Sequence, residues 1–247
     1  MSTVRRLMSS CAGNAGTWRP ERARSGTESG GTMSAHAVIF DLDGVLVTTD
    51  ELHYRAWKAM ADREGIPFDR QVNHRLRGVG RMESLAIILE RSPRAYGAGE
   101  RERLADDKNA IYRASLERIG AKELLPGAVE TLDGLEAMEV PYAVASSSKN
   151  ARLILQRTGL LARLSVIVDG NDITRSKPDP QVFLLAAERL GVEPGQCVVV
   201  EDAGSGVEAG LAAGMRVVGV GPRERVGRAH RVVGSLREIS VGDLLEV

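Results

Sequence analysis

Two aspartates stand one residue apart, directly after an apolar run. Asp41 and Asp43 lie in the segment DLDG and follow the run HAVIF at residues 36–40. Two carboxylates this close repel each other unless a cation lies between them or one of them is protonated. Gly44 lets the chain turn sharply after them. The pair therefore suits a nucleophile and a general acid/base beside a metal ion, although a solvated β-turn uses the same residue types.

Further along the chain, a group of hydroxyl, amine and amide side chains suits the binding of an anion. It follows the apolar run YAVA at residues 142–145 and consists of Ser146, Ser147, Ser148, Lys149 and Asn150. Hydroxyls and free N–H groups at the start of a helix bind oxyanions. Ordinary helix capping uses the same residue types. The sequence leaves both interpretations open, and they are compatible.

A lysine and two more acidic residues complete the set of candidates. Lys177 precedes the segment PDP, in which Pro180 suits a helix start, and its ammonium group would be a fixed charge for a phosphoryl group. A lone lysine is otherwise a surface residue. Glu201 and Asp202 end the apolar run CVVV at residues 197–200 and offer the hard oxygen ligands that Mg²⁺ prefers. Taken by itself, this acidic pair is also explained by a capped helix start. Burying the carboxylates at two strand ends costs free energy unless their charge is compensated, and a divalent cation would compensate it.

These residues need a scaffold that brings strand ends together. Short apolar, β-branched runs alternate with helical stretches at residues 151–158 and 180–190. This alternation predicts a parallel sheet covered on both faces, with the active site beyond the carboxyl ends of its strands. The predicted strands cover residues 36–40, 142–145, 166–168, 197–200 and 216–220.

The first two predicted strands are too far apart for a single crossover. About 100 residues separate them, and most of that segment has apolar residues at helical spacing, such as Trp57 and Met60. We therefore predict a helical insertion over residues 48–118, placed above the strand ends, where it would act as a lid that excludes water. The core domain would then comprise residues 34–47 and 119–247.

The first 33 residues differ from the rest of the chain. Residues 1–33 are rich in Ser, Gly, Thr and Arg and lack apolar periodicity, so we expect a disordered extension. Their Arg and Ser content is a weak match to an organelle transit peptide, but two glutamates weaken it. We favour the interpretation that Met33 is the true start.

Composition excludes several classes of protein. The chain has 247 residues with 33 basic and 33 acidic side chains, which argues against a nucleic-acid or membrane-surface protein. Hydrophobic residues make up 43% of the chain, enough for a buried core. Cys11 and Cys197 are far apart and do not predict a disulfide framework. No apolar run approaches the roughly 20 residues of a membrane helix. We expect a cytoplasmic monomer.

Four segments in order, FDLDGV, ASSSKN, SKPDP and VVVEDAGSGVEAG, resemble the motifs of the haloacid dehalogenase-like phosphotransferases. The resemblance covers residues 36–221 and implies an α/β fold, a Rossmann-like parallel-sheet core with an inserted α-helical cap. It implies that Asp41 is the nucleophile that becomes phosphorylated and that Asp43 is the general acid/base. Ser146 and Lys177 would bind the transferring phosphate. The Mg²⁺ ligands that it implies are Asp41, the backbone carbonyl of Asp43, Glu201 and Asp202.

The predicted cap resembles that of the β-phosphoglucomutases, one family of this superfamily. The segments TTDELHYRAWKAMADREGI and NHRLRGVGRMESL carry the resemblance, at Thr49, His53, Trp57, Arg77, Gly78, Val79, Arg81 and Ser84. It implies that Arg81, helped by Lys149 and Asn150, grips the phosphate that is not being transferred. A planar guanidinium suits that task. Lys108, in the pair Lys108-Asn109, would position Asp43.

Other interpretations of the cap residues stay open. Thr49 and His53 would couple lid closure to the acid/base, but His53 also fits a helix surface. Trp57 is more typical of cap packing than of a sugar platform. Arg77 and Arg81 stand four residues apart and could share a solvated helix face, although the glycines around them favour a loop. Gly80 is a departure, because these mutases often have serine there.

The resemblance implies a Mg²⁺-dependent enzyme that interconverts β-D-glucose 1-phosphate and glucose 6-phosphate through β-glucose 1,6-bisphosphate. Its partner would be a small sugar phosphate, without nucleic acid or membrane. The alternative is a hexose-phosphate phosphatase with the same core and a leakier lid. A catalytically idle sugar-phosphate sensor is a third possibility, which the intact set of acidic residues and lysine disfavours.

Overall fold

A computed structural model describes residues 35–247 of the chain. The predicted disordered extension, Met33 and Cys11 lie outside the described residues. Among the helices of residues 35–247, none is long and apolar enough to cross a membrane.

The centre of the fold is a parallel six-stranded sheet in the order β3-β2-β1-β4-β5-β6. The predicted α/β fold with a parallel-sheet core is confirmed. Each of the predicted strands is present, with its ends at the predicted residues or within one residue of them, whereas β6 was not predicted. The strands are β1 Ala37–Phe40, β2 Tyr142–Ala145, β3 Val166–Val168, β4 Cys197–Glu201, β5 Arg216–Val220 and β6 Arg231–Val233.

Helices cover both faces of the sheet. In β1 the side chains of Val38 and Phe40 pack into one apolar cluster, and those of Ala37 and Ile39 into another. Successive side chains of a strand point to opposite faces, so a strand buried on both faces is apolar throughout. The helices after the second strand are α6 Ala151–Thr158, α7 Gln181–Leu190, α8 Gly204–Ala212, α9 Arg223–Val226 and α10 Val241–Leu245, and α5 Ala128–Ala137 precedes that strand.

Four helices lie between β1 and α5, and we call α1–α4 the insertion. They are α1 Asp50–Arg63, α2 Arg70–His74, α3 Arg81–Leu89 and α4 Ala98–Leu116. Acidic residues open α1 and Arg63 ends it, which complements the helix dipole. The insertion has its own apolar cluster, in which Trp57 is 2% exposed. The burial of Trp57 agrees with the packing interpretation.

The last turns of α4 leave that cluster. Tyr112 and Leu116 instead pack into the apolar cluster on one face of the sheet. One helix therefore joins the insertion to the core, and contacts between α1 and α4 hold the insertion together. The division of the chain into domains at residues 48 and 118 stays a prediction.

Candidate active site

The strand ends and the insertion line one cavity of about 1300 Å³. Asp41 follows β1, Ser146 follows β2, and Glu201 ends β4. Because these strands are parallel neighbours, their carboxyl ends meet at one edge of the sheet. The residues predicted at the site that line the cavity are Asp41, Asp43, His53, Trp57, Arg77, Gly78, Val79, Arg81, Ser84, Lys108, Ser146, Ser147, Ser148, Lys149, Asn150, Lys177, Glu201 and Asp202.

Lys177 lies between two of the carboxylates. Its Nζ is 2.5 Å from Asp41 Oδ1 and 2.6 Å from Glu201 Oε1, and it also donates to the carbonyl of Ala145 at 3.3 Å. The ring of Phe183 covers the ammonium group, with Nζ 4.7 Å from its centroid. Lys177 is thus a buried cation in a fixed place and not a surface lysine.

Burial and charge set the protonation of this pair. Burial lowers the pKa of Lys177, but the charges of Asp41 and Glu201 outweigh it and raise that pKa above its ordinary value. Burial also raises the pKa of Asp41, an effect that Lys177 opposes and Glu201 reinforces. We therefore infer that Lys177 is protonated and that its positive charge stabilises the ionised form of Asp41.

Both oxygens of Glu201 are engaged within the protein. Oε1 accepts from Lys177, and Oε2 accepts from the backbone N–H of Ala203 at 2.7 Å. Gly206 leaves the space, since a Cβ there would lie 1.8 Å from Glu201 Oε1. Glu201 thus holds Lys177 in place. Each of its oxygens accepts one hydrogen bond and keeps a further lone pair for a cation, so the role of Glu201 as a metal ligand stays a prediction.

The oxygens at this edge of the sheet suit a divalent cation. Within residues 35–247, no three His, Cys, Asp or Glu side chains form a metal-binding group. The candidate donors stay the carboxylates of Asp41, Glu201 and Asp202 and the backbone carbonyl of Asp43. Few carboxylates, completed by water and phosphate, are what Mg²⁺ prefers. Burial raises the pKa of Asp202 to about 7, and the charge of Glu201 adds to it. This cluster of desolvated carboxylates is therefore one that a cation would stabilise.

Asp202 is held by its surroundings on several sides. Gly44, with φ +88°, packs against it so closely that a Cβ would lie 2.3 Å from Asp202 Cγ. The predicted sharp turn at Gly44 is present, and it lets the two acidic loops approach each other. Arg77 Nη1 and Arg225 Nη2 lie 3.7 Å and 3.6 Å from the same oxygen, Asp202 Oδ2.

Asp43 is the end of a chain of hydroxyl groups. Tyr112 Oη donates to Thr49 Oγ1 at 2.9 Å, and Thr49 Oγ1 donates to Asp43 Oδ1. Desolvation raises the pKa of Asp43 to about 6, against the lowering effect of the hydrogen bond from Thr49. A carboxyl group with a pKa near neutrality can both donate and accept a proton. Its geometry thus agrees with the predicted acid/base role.

Lys108 and His53 form a buried pair in the insertion. Lys108 Nζ lies 2.8 Å from His53 Nδ1 and within 4.7 Å of the ring centroids of Trp57 and Tyr112. Burial lowers the pKa of Lys108 to about 7, and the charge of Arg81 adds to this. Burial also holds the pKa of His53 well below its ordinary range. A neutral imidazole is therefore a hydrogen-bond acceptor for the lysine.

The serines before α6 form turns and do not cap the helix. Ser146 Oγ accepts from the N–H of Ser148, and Ser148 Oγ accepts from the N–H of Asn150, both at 3.2 Å. The N-cap residue, Asn150, makes no side-chain capping hydrogen bond. Among the described residues, Ser147 Oγ has no hydrogen-bond partner although this atom is buried, and Lys149 is exposed. The same turn lines the cavity, so anion binding there stays a prediction.

Residues 75–78 form turns, residues 79 and 80 lie in no regular element, and α3 begins at Arg81. The loop contacts the core closely, since a Cβ on Gly78 would lie 2.5 Å from Ser205 Oγ and one on Gly80 2.6 Å from Ser176 Oγ. Arg77 and Arg81 thus flank a loop over the cavity and do not share one helix face. A second contact joins insertion and core, from Asn150 Nδ2 to Asn109 Oδ1 at 3.0 Å.

The two arginines of this loop have different partners. Arg77 Nη2 donates to Asp50 Oδ2 at the start of α1. Arg81 Nη1 lies 3.6 Å from Asp106 Oδ1, and the side chain of Asp106 is 79% exposed. The pair of Arg81 with Asp106 is long and solvated, so it contributes little. The Arg81 guanidinium can therefore bind an anion in the cavity at small cost.

Three residues at the site were missed in the sequence. Arg225 lies outside the motif segments and Ser176 lies within SKPDP without a predicted role, and the fold brings both to the cavity. Tyr112 stands four residues after Lys108 on α4, a spacing that places both on one helix face. That spacing was the one available signal.

A sequence profile of the haloacid dehalogenase-like hydrolases matches residues 35–214. The chain belongs to that family. Haloacid dehalogenase-like proteins with strong similarity include a β-phosphoglucomutase of Bacillus subtilis, which is 40% identical over 207 residues that cover 83% of this chain and 92% of the relative. A phosphorylated carbohydrates phosphatase of Thermotoga maritima is 32% identical over 215 residues, covering 85% and 97%.

A solved structure supports the same placement within the haloacid dehalogenase-like family. The crystal structure of a β-phosphoglucomutase from Clostridium difficile superposes with a TM-score of 0.80 at 36% identity, covering 83% of this chain and 93% of that one. The chain is therefore an enzyme of this superfamily. Its relatives include both a mutase and a phosphatase.

Proposed function

We propose that this enzyme is a β-phosphoglucomutase that interconverts β-D-glucose 1-phosphate and D-glucose 6-phosphate. The observation that carries the proposal is that one cavity is lined by Asp41 and Lys177 at the sheet edge and by Arg81 on the insertion. We assign Asp41 and Lys177 to the phosphate that is transferred and Arg81 to the other phosphate. A bisphosphate intermediate needs both phosphate-binding places at once. The similarity to the Bacillus subtilis mutase supports the same assignment.

Phosphoryl transfer would begin at Asp41. Its carboxylate attacks phosphorus in line, the P–O bond to the sugar breaks, and a phosphoaspartate forms. Lys177 would neutralise the equatorial oxygens, because its ammonium group already lies 2.5 Å from Asp41. Mg²⁺, when held by Asp41, Glu201, Asp202 and the Asp43 carbonyl, would supply further positive charge to the phosphoryl oxygens. Ser146 would donate its hydroxyl to the same group.

Asp43 would manage the proton. It gives a proton to the departing sugar oxygen and takes one from the sugar hydroxyl that attacks next. In the described structure Thr49 holds its carboxyl group. Lys108 and His53 lie beyond Thr49, around Tyr112, and would keep that end of the insertion in place.

The insertion would decide between sugar and water as the second acceptor. Arg81, with Lys149 and Asn150, would bind the phosphate at the far end of the bisphosphate. We propose that the insertion, residues 48–118, acts as a cap that excludes water from phospho-Asp41 until a sugar hydroxyl attacks it. The second candidate function is a hexose-phosphate phosphatase, which the similarity to the Thermotoga maritima phosphatase favours.

A product assay separates the two functions. The enzyme is given β-glucose 1-phosphate, Mg²⁺ and a trace of glucose 1,6-bisphosphate, and both glucose 6-phosphate and inorganic phosphate are recorded. We expect glucose 6-phosphate with little inorganic phosphate. A dominance of inorganic phosphate would replace the proposal with the phosphatase. α-Glucose 1-phosphate is the control for the choice of anomer.

A further inference from the structure

Arg225 lies outside every motif segment of the sequence, but in the fold it makes two contacts with Asp202. Its Nε donates to the backbone carbonyl of Asp202 at 2.5 Å, and its Nη2 lies 3.6 Å from Asp202 Oδ2. A guanidinium has several N–H groups in a rigid plane, so one side chain can address two acceptors at once. Lysine has a single ammonium group and cannot keep both contacts in this geometry.

The support beneath Arg225 is also well defined. Arg225 lies on α9, whose Val226 is buried in the apolar cluster on one face of the sheet. Gly219 of β5 admits that side chain, because a Cβ there would lie 2.7 Å from Val226 Cβ. Gly221, with φ +124°, leaves room for the guanidinium, since a Cβ would lie 2.5 Å from Arg225 Nη2. Gly219 thus leaves room for Val226, and Gly221 leaves room for the guanidinium of Arg225.

We infer that Arg225 is a positioning residue that orients Asp202 toward the metal ion. The inference rests on the proposed metal site. A guanidinium that holds both the main chain and the carboxylate of Asp202 fixes where the β4–α8 loop presents its oxygens. Partners that orient a metal ligand affect metal affinity by about 10- to 100-fold when they are removed.

A competing explanation is that Arg225 contributes positive charge alone. A cation beside a metal ligand repels a metal ion, so its removal would strengthen Mg²⁺ binding. Positioning predicts the opposite sign. Arg77 provides the comparison, because its Nη1 lies 3.7 Å from the same Oδ2 whereas its hydrogen bond goes to Asp50. Arg77 thus places charge near Asp202 without the hydrogen bond to its main chain.

The test is a titration of the full chain with MgCl₂, measured by isothermal titration calorimetry. We expect Arg225→Met to raise the Kd for Mg²⁺ about tenfold and Arg225→Lys to raise it less. Arg77→Met should leave that Kd unchanged or lower it. Arg223→Met, an exposed arginine on the same helix, is the matched control and should bind Mg²⁺ like the wild type. The Mg²⁺ concentration needed for half-maximal turnover should follow the calorimetric order.

If Arg225→Met binds Mg²⁺ as tightly as the wild type or more tightly, the inference is wrong, and tighter binding would show that Arg225 acts through its charge. Circular dichroism and a thermal melt check the fold; should Arg225→Met not fold, a raised Kd in Arg225→Lys supports the inference and an unchanged Kd overturns it. A wild type that binds no Mg²⁺ overturns the metal site itself, and the inference with it. A wild type that binds Mg²⁺ but releases mainly inorganic phosphate overturns only the proposed mutase function.

Discussion

The core half and the insertion half of the cavity handle charge in different ways. In the core, Lys177 lies within 2.6 Å of two carboxylates, so the charge of the lysine is compensated within the protein and a net negative charge remains. In the insertion, Arg81 has only a long, solvated pair with Asp106, and Lys108 lies among aromatic rings. Preorganised groups perform chemistry without reorganisation, whereas cations without close counter-ions attract an anion. The core is thus built for transfer and the insertion for recognition.

The largest expected effect comes from the core. Asp41→Asn removes the attacking carboxylate but keeps a similar shape, so phosphoenzyme formation and turnover should fall by about 10⁴-fold or more. Mass spectrometry of acid-quenched enzyme measures the phosphoenzyme. Asp62→Asn, which changes an exposed partner of Lys58, is the control. An unchanged rate in Asp41→Asn would mean that Asp41 is not the nucleophile and that the core half does not carry out the transfer.

The next effect should divide two activities. Arg81→Ala removes the guanidinium proposed for the distal phosphate, so kcat/KM for β-glucose 1-phosphate should fall about 10- to 100-fold, as for charge-assisted hydrogen bonds. Hydrolysis of acetyl phosphate, which has no second phosphate, should change by less than about threefold. Arg91→Ala, an exposed arginine of the insertion that pairs with Asp69, is the control. Equal losses in both assays would contradict the division of labour.

These two halves also differ in how far the sequence predicts them. Asp41, Ser146 and Glu201 could be placed together because each lies at the end of a parallel strand, and parallel strands meet at one sheet edge. The partners of Arg77 and Arg81 could not be predicted in this way, because they depend on the path of a loop.

Burial also carries information that a motif lacks. The sequence groups Glu201 with Asp202 as metal ligands, and only the packed structure shows that Glu201 also accepts hydrogen bonds from Lys177 and from the Ala203 N–H. Arg225 has no motif at all, and only the turn from β5 into α9 brings it back to Asp202. Strand β6 was missed, although β3 is equally short, because β6 has only two apolar residues whereas all three residues of β3 are apolar.

A pH dependence should distinguish the buried cation of the insertion from that of the core. The pKa of Lys108 is lowered from 10.5 to about 7, so between these values the unfolded state binds more protons than the folded state. The free energy of unfolding should therefore gain a rising contribution with pH across this window, at most about 1.4 kcal/mol per pH unit. Lys108→Met, which keeps the apolar stem, should remove that contribution.

Urea denaturation of both proteins between about pH 7 and 9 measures the difference. Lys122→Met, at an exposed lysine, serves as the control and should keep the slope of the wild type. A difference between wild type and Lys108→Met that does not vary with pH would mean that Lys108 stays charged in the folded state. The insertion would then hold a compensated cation, as the core does, and the contrast between the two halves would weaken.

The smallest effect concerns the contact between the two halves. A Cβ on Gly80 would lie 2.6 Å from Ser176 Oγ and 2.8 Å from Glu83 Oε2. Gly80→Ser should therefore push the loop that carries Arg81 away from the core and lower mutase kcat/KM by a few fold, about three- to tenfold by analogy with other small displacements at active sites. Hydrolysis of acetyl phosphate should stay near the wild-type rate, because the groups around Asp41 do not move.

A double-mutant cycle shows whether that contact is the cause. Ser176→Ala removes the obstructing hydroxyl and leaves the Cβ of residue 176 at 3.4 Å and Glu83 Oε2 at 2.8 Å from a Cβ at position 80. It should therefore restore the part of the loss in Gly80→Ser that the contact with Ser176 causes, while changing little alone. Additive effects of the two substitutions would mean that Gly80 acts through loop conformation and not through its approach to the core. Coupled effects would place the recognition half and the transfer half in direct contact one residue away from Lys177.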